Sequence, residues 1–399
     1  MKNRQILRQN IGIDVGMFHF YVRHTIMDIE GNIKHSKAVK FSNKASGFKT
    51  FLKWAKKISY PDLPLRFTME ATGVYYEGLA YFLYEQGEHI SVLLPNMAKK
   101  FAESLNIKSK TDKIDARTLG QLGVERNLPK WKLGSKIYRD LKKLSRERQR
   151  PIKQRTAVKN RLHSEEHSGD PLKIITKHHK EQIEFLNRQI EKIEKTMKEM
   201  IARDHFLSEK FKKITTIPGV SFITAVTIVA ETQGFENFRS LKQLWSYAGY
   251  DVRQRQSGKF RGRTRISKKG NKHIRRAMYM PVITLIQHSQ TYRKFFSHLK
   301  KRKEKGMIAL TAVQRKLLGL IYTLWKNDEE FIDNYEEIKQ DKKVKQEKHV
   351  QNGIDDNKEK SSGSQSPTTQ DRQSFQKETC LPSAYTKVIT LKNTTMKIT

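Results

Sequence analysis

Cysteine is almost missing from this chain. Its 399 residues hold one, Cys380, so neither a disulfide within the chain nor a cysteine zinc cluster can form, in keeping with a reducing compartment. Any metal must be held by oxygen or histidine. Long apolar runs are missing too: no stretch of about 18 apolar residues reads as a membrane span, and no basic, apolar signal segment opens the chain. The expectation is a cytoplasmic protein with no membrane partner. Acids are scarce, 41 against 79 Lys and Arg, leaving a net charge of +38. That exceeds what solubility needs and points to a polyanionic partner, of which nucleic acid is the commonest.

What is present falls into regions, and the length suits two domains with cores of their own. Residues 11–16 (IGIDVG) read as a short apolar strand carrying one acid, 18–28 as a second extended run, and a third passes through Val39 and Phe41 after the turn at Glu30, Gly31 and Asn32. A helix over 45–58, a strand over 65–69, a helix over 76–84 and a strand over 90–94 follow. The order βββαβαβα is that of a ribonuclease H-like fold. Residues 136–203 read as charged helix, in which Ile183, Leu186, Ile190, Ile193, Met197 and Met200 keep a heptad spacing. A coiled-coil arm for dimerisation or RNA contact fits this seam, and so does an amphipathic helix packing on its own domain. From about residue 340 the chain turns polar with hardly any large apolar side chain, the composition of a disordered tail.

Several acids stand where acids are costly. Asp14 lies inside an apolar strand, where a dry carboxylate needs a compensating charge such as a divalent cation. Glu70 ends a later strand in Met-Glu-Ala-Thr-Gly, and a ribonuclease H-like sheet sets the first and fourth strands side by side. Asp112 and Asp115 are three apart, so a helix starting near Thr111 presents both on one face, although an acid there also suits the helix dipole alone. Four oxygen donors suit Mg²⁺ or Mn²⁺ and phosphodiester chemistry.

Two further segments bear on nucleic acid. Residues 214–231 (ITTIPGVSFITAVTIVAE) read as helix, tight turn and helix, a helix-hairpin-helix in which amides around Gly219 would meet a phosphate; a plain connection between core helices is the alternative. Residues 253–271 form a glycine-bearing loop with Arg253, Arg255, Lys259, Arg261, Arg263, Arg265, Lys268 and Lys269, suited to backbone phosphates. Within it Ser257 precedes Gly258 among cations, so its hydroxyl could approach a phosphate, though serine in a polar loop more often only forms a turn.

In this order GIDVG, MEATG, KTDKIDA, RERQRPIKQRTAVKNRLH, TIPGV, SYAGY, RQSGK, GRTRISKKGNKHIRRAMY and ALTAVQRKLL resemble the DEDD transposases of bacterial insertion sequences, a group that includes the pilin-gene invertase and bridge-RNA-guided recombinases. The resemblance spans roughly residues 12–325. It implies that Asp14, Glu70, Asp112 and Asp115 form the metal site of a ribonuclease H-like (RuvC-like) α/β domain, and that Ser257 attacks DNA to give a phosphoserine. It further implies double-stranded DNA and a structured guide RNA as partners, and a homo-oligomer, dimer or tetramer. The corresponding domains are 1–135 catalytic, 136–205 helical arm, 206–335 a mainly α transposase domain with the helix-hairpin-helix, and 336–399 tail. Three features depart from the family's pattern: Pro151 interrupting the basic helix, a short arm between Asn160 and Lys180, and the basic tail. A metal-dependent junction nuclease using water, and a nonenzymatic binder with decayed acids, are the rival readings.

Overall fold

The computed structural model describes residues 5–254, 256–262, 265–302 and 305–333. The tail expected over 336–399, together with Arg255 and Arg263, lies outside the described residues. The chain divides into two compact units, one ending at Gly134 and the other beginning at Ser135.

The first unit is α/β. Its elements run β1 (Ile6–Val15), β2 (His19–Asp28), β3 (Ile33–His35), β4 (Val39–Ser42), α1 (Ala45–Ile58), β5 (Leu65–Glu70), α2 (Glu77–Glu85), β6 (His89–Leu93), α3 (Pro95–Ser104) and α4 (Asp112–Glu125). The described residues form a sheet of six strands in the order β3-β2-β1-β5-β6, with β4 also on β2. β2 is antiparallel to β1, whereas β5 and β6 are parallel to it. The first strand thus neighbours the strand after the first helix, the adjacency expected of a ribonuclease H-like sheet. The third extended run expected from the sequence is two short strands. Between them Ser36 accepts the His24 amide on its hydroxyl at 3.0 Å, in place of a ladder bond, and the ladder resumes at Val39.

The period of two along β1 sorts its side chains onto two faces. Ile11, Ile13 and Val15 join Phe20, Phe67 and Met69 in an apolar layer covered by α1 through Phe48, Phe51, Leu52 and Ala55. Those four sit three and four apart, as one helix face requires. Asn10, Gly12 and Asp14 point the other way, where Asn10 and Gly12 meet α4.

The second unit is mostly helical: α5 (Lys136–Glu166), α6 (Lys173–Ala202), α7 (His205–Thr215), α8 (Phe222–Glu231), α9 (Leu241–Ala248), the two-residue strands β7 (Val252–Arg253), β8 (Gln256–Ser257), β9 (Phe260–Arg261) and β10 (Arg265–Ile266), then α10 (Lys272–Ala277), α11 (Tyr279–His288), α12 (Gln290–Arg302) and α13 (Gly306–Asn327). α5 and α6 fold back on each other as a hairpin, tied by Arg148 to Glu194 at 2.6 Å and Arg155 to Asn187 at 2.7 Å. The heptad residues of α6 are buried or half-buried, with Leu186, Ile190 and Met197 in the interior. Contrary to expectation, Pro151 does not interrupt the basic helix: α5 runs through it, forgoing the bond that its missing N–H would have made. α13 is long and apolar enough, by length and composition, to cross a membrane, but 56% of its apolar window is buried within the unit. Val313, Leu317, Ile321 and Leu324 place it in the core with Phe211, Val226 and Phe235.

Candidate active site

Strand register brings the first two acids together. β1 and β5 pair in parallel through Gly12 with Thr68 and Ile13 with Met69, so Asp14 and Glu70 come next on adjacent strands. On β5, as on β1, the alternate residues Thr68 and Glu70 share the face opposite Phe67 and Met69. α4 supplies the other two acids. Thr111 caps it by accepting from the Ile114 amide at 3.3 Å, leaving Asp112 and Asp115 in the first turn, where the helix dipole favours acids.

Three residues that sequence reasoning missed hold α4 against the strands. A Cβ on Gly12 would overlap Ala116 O and Gly120 N, and one on Gly120 would overlap the Thr25 hydroxyl. The helix therefore lies on the strand backbone itself. Asn10, fully buried, donates Nδ2 to Leu119 O at 3.4 Å and to Gly120 O at 3.2 Å while Oδ1 accepts from the Thr68 hydroxyl at 3.0 Å. One amide thus joins β1, β5 and α4, the elements that carry the four acids. The alternation Asn10, Gly12, Asp14 against Ile11, Ile13, Val15 was the available signal, a polar and narrow face opposite an apolar one.

The acids feel one another. Burial, followed by the charges of Asp115, Asp112 and Glu70, pushes the Asp14 carboxyl up to about 7, with Lys110 opposing. Asp115 is also raised, by burial first, against the lowering effect of Lys110 and with Asp112 adding to the rise. Glu70 Oε1 accepts from the Thr72 hydroxyl at 3.2 Å. Among the described residues no three His, Cys, Asp or Glu side chains stand close enough to hold a metal as they are turned here. The donor set nevertheless fits a hard divalent cation, because it is all carboxylate and burial, with like charge after it, disfavours the ionised form of its most buried member unless a cation is present.

Ser257 belongs to the second unit. It is exposed at the end of β8, paired with Phe260 of β9 across a turn in which Gly258 has φ +53°. Arg253, Lys259, Arg261, Lys268 and Lys269 are exposed on this excursion, as is Arg265 on β10. Its root is narrow. Lys268 N donates to Gly249 O at 3.1 Å and Asn271 N to Tyr247 O at 2.7 Å. A Cβ on Gly270 would lie 2.5 Å from Gly249 N and from Tyr247 O, and Gly249 itself has φ +79°, with a Cβ there meeting Arg275 Nη1 at 2.6 Å. Gly219, the turn residue between α7 and α8, has φ +86°, and a Cβ there would lie 2.6 Å from Pro281 O and 2.8 Å from Thr284 Cβ. Close packing on α11 therefore demands this glycine, whatever the turn contacts outside.

Comparison with known proteins gives a consistent set of likenesses. Residues 11–165 match the profile of the IS110-type DEDD transposases, described as a transposase, and residues 212–297 match a profile described as the Transposase IS116/IS110/IS902 family. The pilin gene-inverting protein of Moraxella bovis is 28% identical over 294 residues, covering 73% of this chain and 89% of that protein. The transposase for insertion sequence element IS1328 of Yersinia enterocolitica is 23% identical over 225 residues, covering 50% and 65%. Among solved structures, Thermus thermophilus RuvC aligns with 11% identity and a TM-score of 0.24, covering 31% of this chain and 99% of RuvC.

Proposed function

Because the chain is a DEDD transposase of the IS110 family, and so a DNA transposase or recombinase enzyme, we propose that it cuts and rejoins DNA with two sets of residues: the four acids Asp14, Glu70, Asp112 and Asp115, and the hydroxyl of Ser257. The observation that carries this reading is the Asp14 edge, where a chain of net charge +38 collects four mutually repelling acids on three tightly joined elements. Divalent-cation chemistry belongs to sites of this kind, and Mg²⁺ or Mn²⁺ held by these carboxylates would supply Lewis-acid stabilisation of charge at a phosphate.

The chain's own residues do the rest. Ser257 Oγ forms a bond to phosphorus as one backbone P–O bond breaks, and the proton leaving the serine ends on the DNA hydroxyl that departs. A second DNA hydroxyl then displaces the serine by the reverse step. Each phosphodiester is exchanged for another, so strands are rejoined without a high-energy cofactor. Arg253, Lys259, Arg261, Arg265, Lys268 and Lys269, with Arg255 and Arg263, neutralise the phosphates on either side. The turn at Gly219 adds a contact to the backbone that reads no sequence. Acids and serine would come from different subunits of a dimer or tetramer, and a structured RNA would choose the target. The resemblance of the motifs, in their order, to the family supports both points, while the heptad seam of α6 is taken up by α5 of the same chain.

The rival is a junction nuclease with the same acids and water as nucleophile. A labelled suicide DNA substrate separates the two on a denaturing gel. Wild type should yield a protein-linked DNA band, and Ser257→Ala should fold and bind DNA yet yield none. Nicking with no linked band from either protein would establish the nuclease instead.

A further inference from the structure

Glu231 is the last residue of α8, and its side chain has no exposure. A carboxylate there is costly twice over, since burial strips its water and the C-terminal end of a helix is already partly negative. Donors from α5 and from the N-cap of α10 compensate it, and α9 bonds its backbone carbonyl. Arg146 of α5 donates Nε to Oε1 at 2.6 Å and Nη2 to Oε2 at 2.9 Å, and Lys142, one turn earlier, lies 3.8 Å from Oε2. Asn271 donates Nδ2 to Oε2 at 2.7 Å, and the hydroxyl of Tyr247 on α9 donates to Glu231 O at 3.0 Å. Burial alone would raise this carboxyl; the bonds from Arg146 and Asn271, with the charge of Lys142, hold it below the usual range.

Asn271 is the other half of the arrangement. Its Oδ1 accepts from the His273 amide at 2.9 Å and the Ile274 amide at 3.3 Å, capping α10 and turning the NH₂ toward Glu231. Its own amide closes the root of the excursion that bears Ser257. The described residues of the two short β8–β9 strands are exposed, so this hairpin takes its direction from the root. An apolar pair could hold α5 to α8 equally well. A carboxylate takes the Arg146 fork on both oxygens and Asn271 on one of them, which an amide with a single acceptor oxygen cannot.

We propose that Glu231, acting through Asn271, is a positioning residue for the hairpin that carries Ser257, and that Arg146 ties this setting to the arm helix α5. The proposal rests on Ser257 as nucleophile for its part in the reaction, and on geometry alone for its part in the fold.

The test is Asn271→Ser in the full chain. Serine still caps α10, but its hydroxyl is too short to reach Glu231. Hydrogen exchange of the amides at 268 and 271 should rise tenfold or more while α8 and α10 keep their protection. On the suicide substrate, kcat for protein-linked DNA should fall at least tenfold with KM for DNA unchanged, and Glu231→Gln, which keeps an oxygen for Asn271, should retain more activity than Asn271→Ser. Unchanged exchange at the root overturns the anchor, and faster exchange with wild-type kcat overturns the positioning role. Faster exchange in the variant, with no serine-linked DNA even from wild type, supports the anchor and overturns the reading of Ser257.

Discussion

At Asp14 two demands oppose each other. Its strand neighbours are apolar and buried, yet its carboxyl faces three more acids and is raised to about 7. An acid whose folded pKa lies above its unfolded value costs nothing below about pH 4, where both states are protonated, and costs progressively more as pH rises toward 7. Chelator-treated protein should therefore lose melting temperature over that window. Added Mg²⁺ should restore it above pH 7, because the cation favours the ionised form. Asp14→Asn should melt above wild type in chelator at pH 8 by several degrees and gain nothing from Mg²⁺. Calorimetry showing the variant at or below wild type under those conditions would remove the burial and like-charge cost of an ionised Asp14 as the property of this edge.

Among elements, α4 is the one whose placement decides the site, and glycine decides its placement. Gly12→Ala puts a methyl into the backbone of Ala116 and Gly120, which cannot yield as a side-chain tip would. The expected loss is about 3 kcal/mol, the upper end of ordinary overpacking, with metal-dependent cleavage lost as α4 lifts its two acids away. Gly169→Ala, where no atom lies within 4 Å, is the control and should leave both unchanged. Denaturant unfolding of the two variants measures the difference. Much of this element was legible beforehand. Thr-Asp-Lys-Ile-Asp announces a capped helix with two acids on one face, and the spacing of Phe48, Phe51, Leu52 and Ala55 announces the helix that forms over 45–58. What stayed hidden depends on partners far along the chain. Asn10 fell just outside the strand read over 11–16, because Thr68 and Leu119, which give it a role, are 58 and 109 residues away. Glu231 read only as the end of an apolar helix, since Arg146 and Asn271 are 85 and 40 residues distant. Pro151 misled in the other direction, because a long helix held along its flank by α6 tolerates one lost bond.

For the molecule as a whole the dominant quantity is the excess of 38 positive charges, legible without any structure. If the loop cations meet phosphates, six or more counterions leave the DNA on binding, and affinity should fall roughly 10³-fold between about 50 and 200 mM salt. Replacing Arg253, Lys259, Arg261, Arg265, Lys268 and Lys269 by glutamine should flatten the slope of log K against log salt by roughly five, at about 0.9 per lost contact. Filter binding over a salt series reads both. A slope that keeps its wild-type value would place the contact surface elsewhere, for instance on α12, whose last turn holds Lys300, Lys301 and Arg302.

The facing pair Gly249 and Gly270 has a bearing on descent as well as on chemistry. Beyond Tyr250, which stays in the core, the chain runs outward and returns with Ile266 packed on that core, past Gly270, which admits no Cβ beside Gly249 N and Tyr247 O. Sterics hold this throat while the exposed β8–β9 hairpin answers only to what it touches outside. That hairpin can lengthen, shorten or be exchanged without any repacking of Tyr250 or of the helices beneath it. A transposase could therefore revise this hairpin as a cassette, keeping the scaffold it inherited.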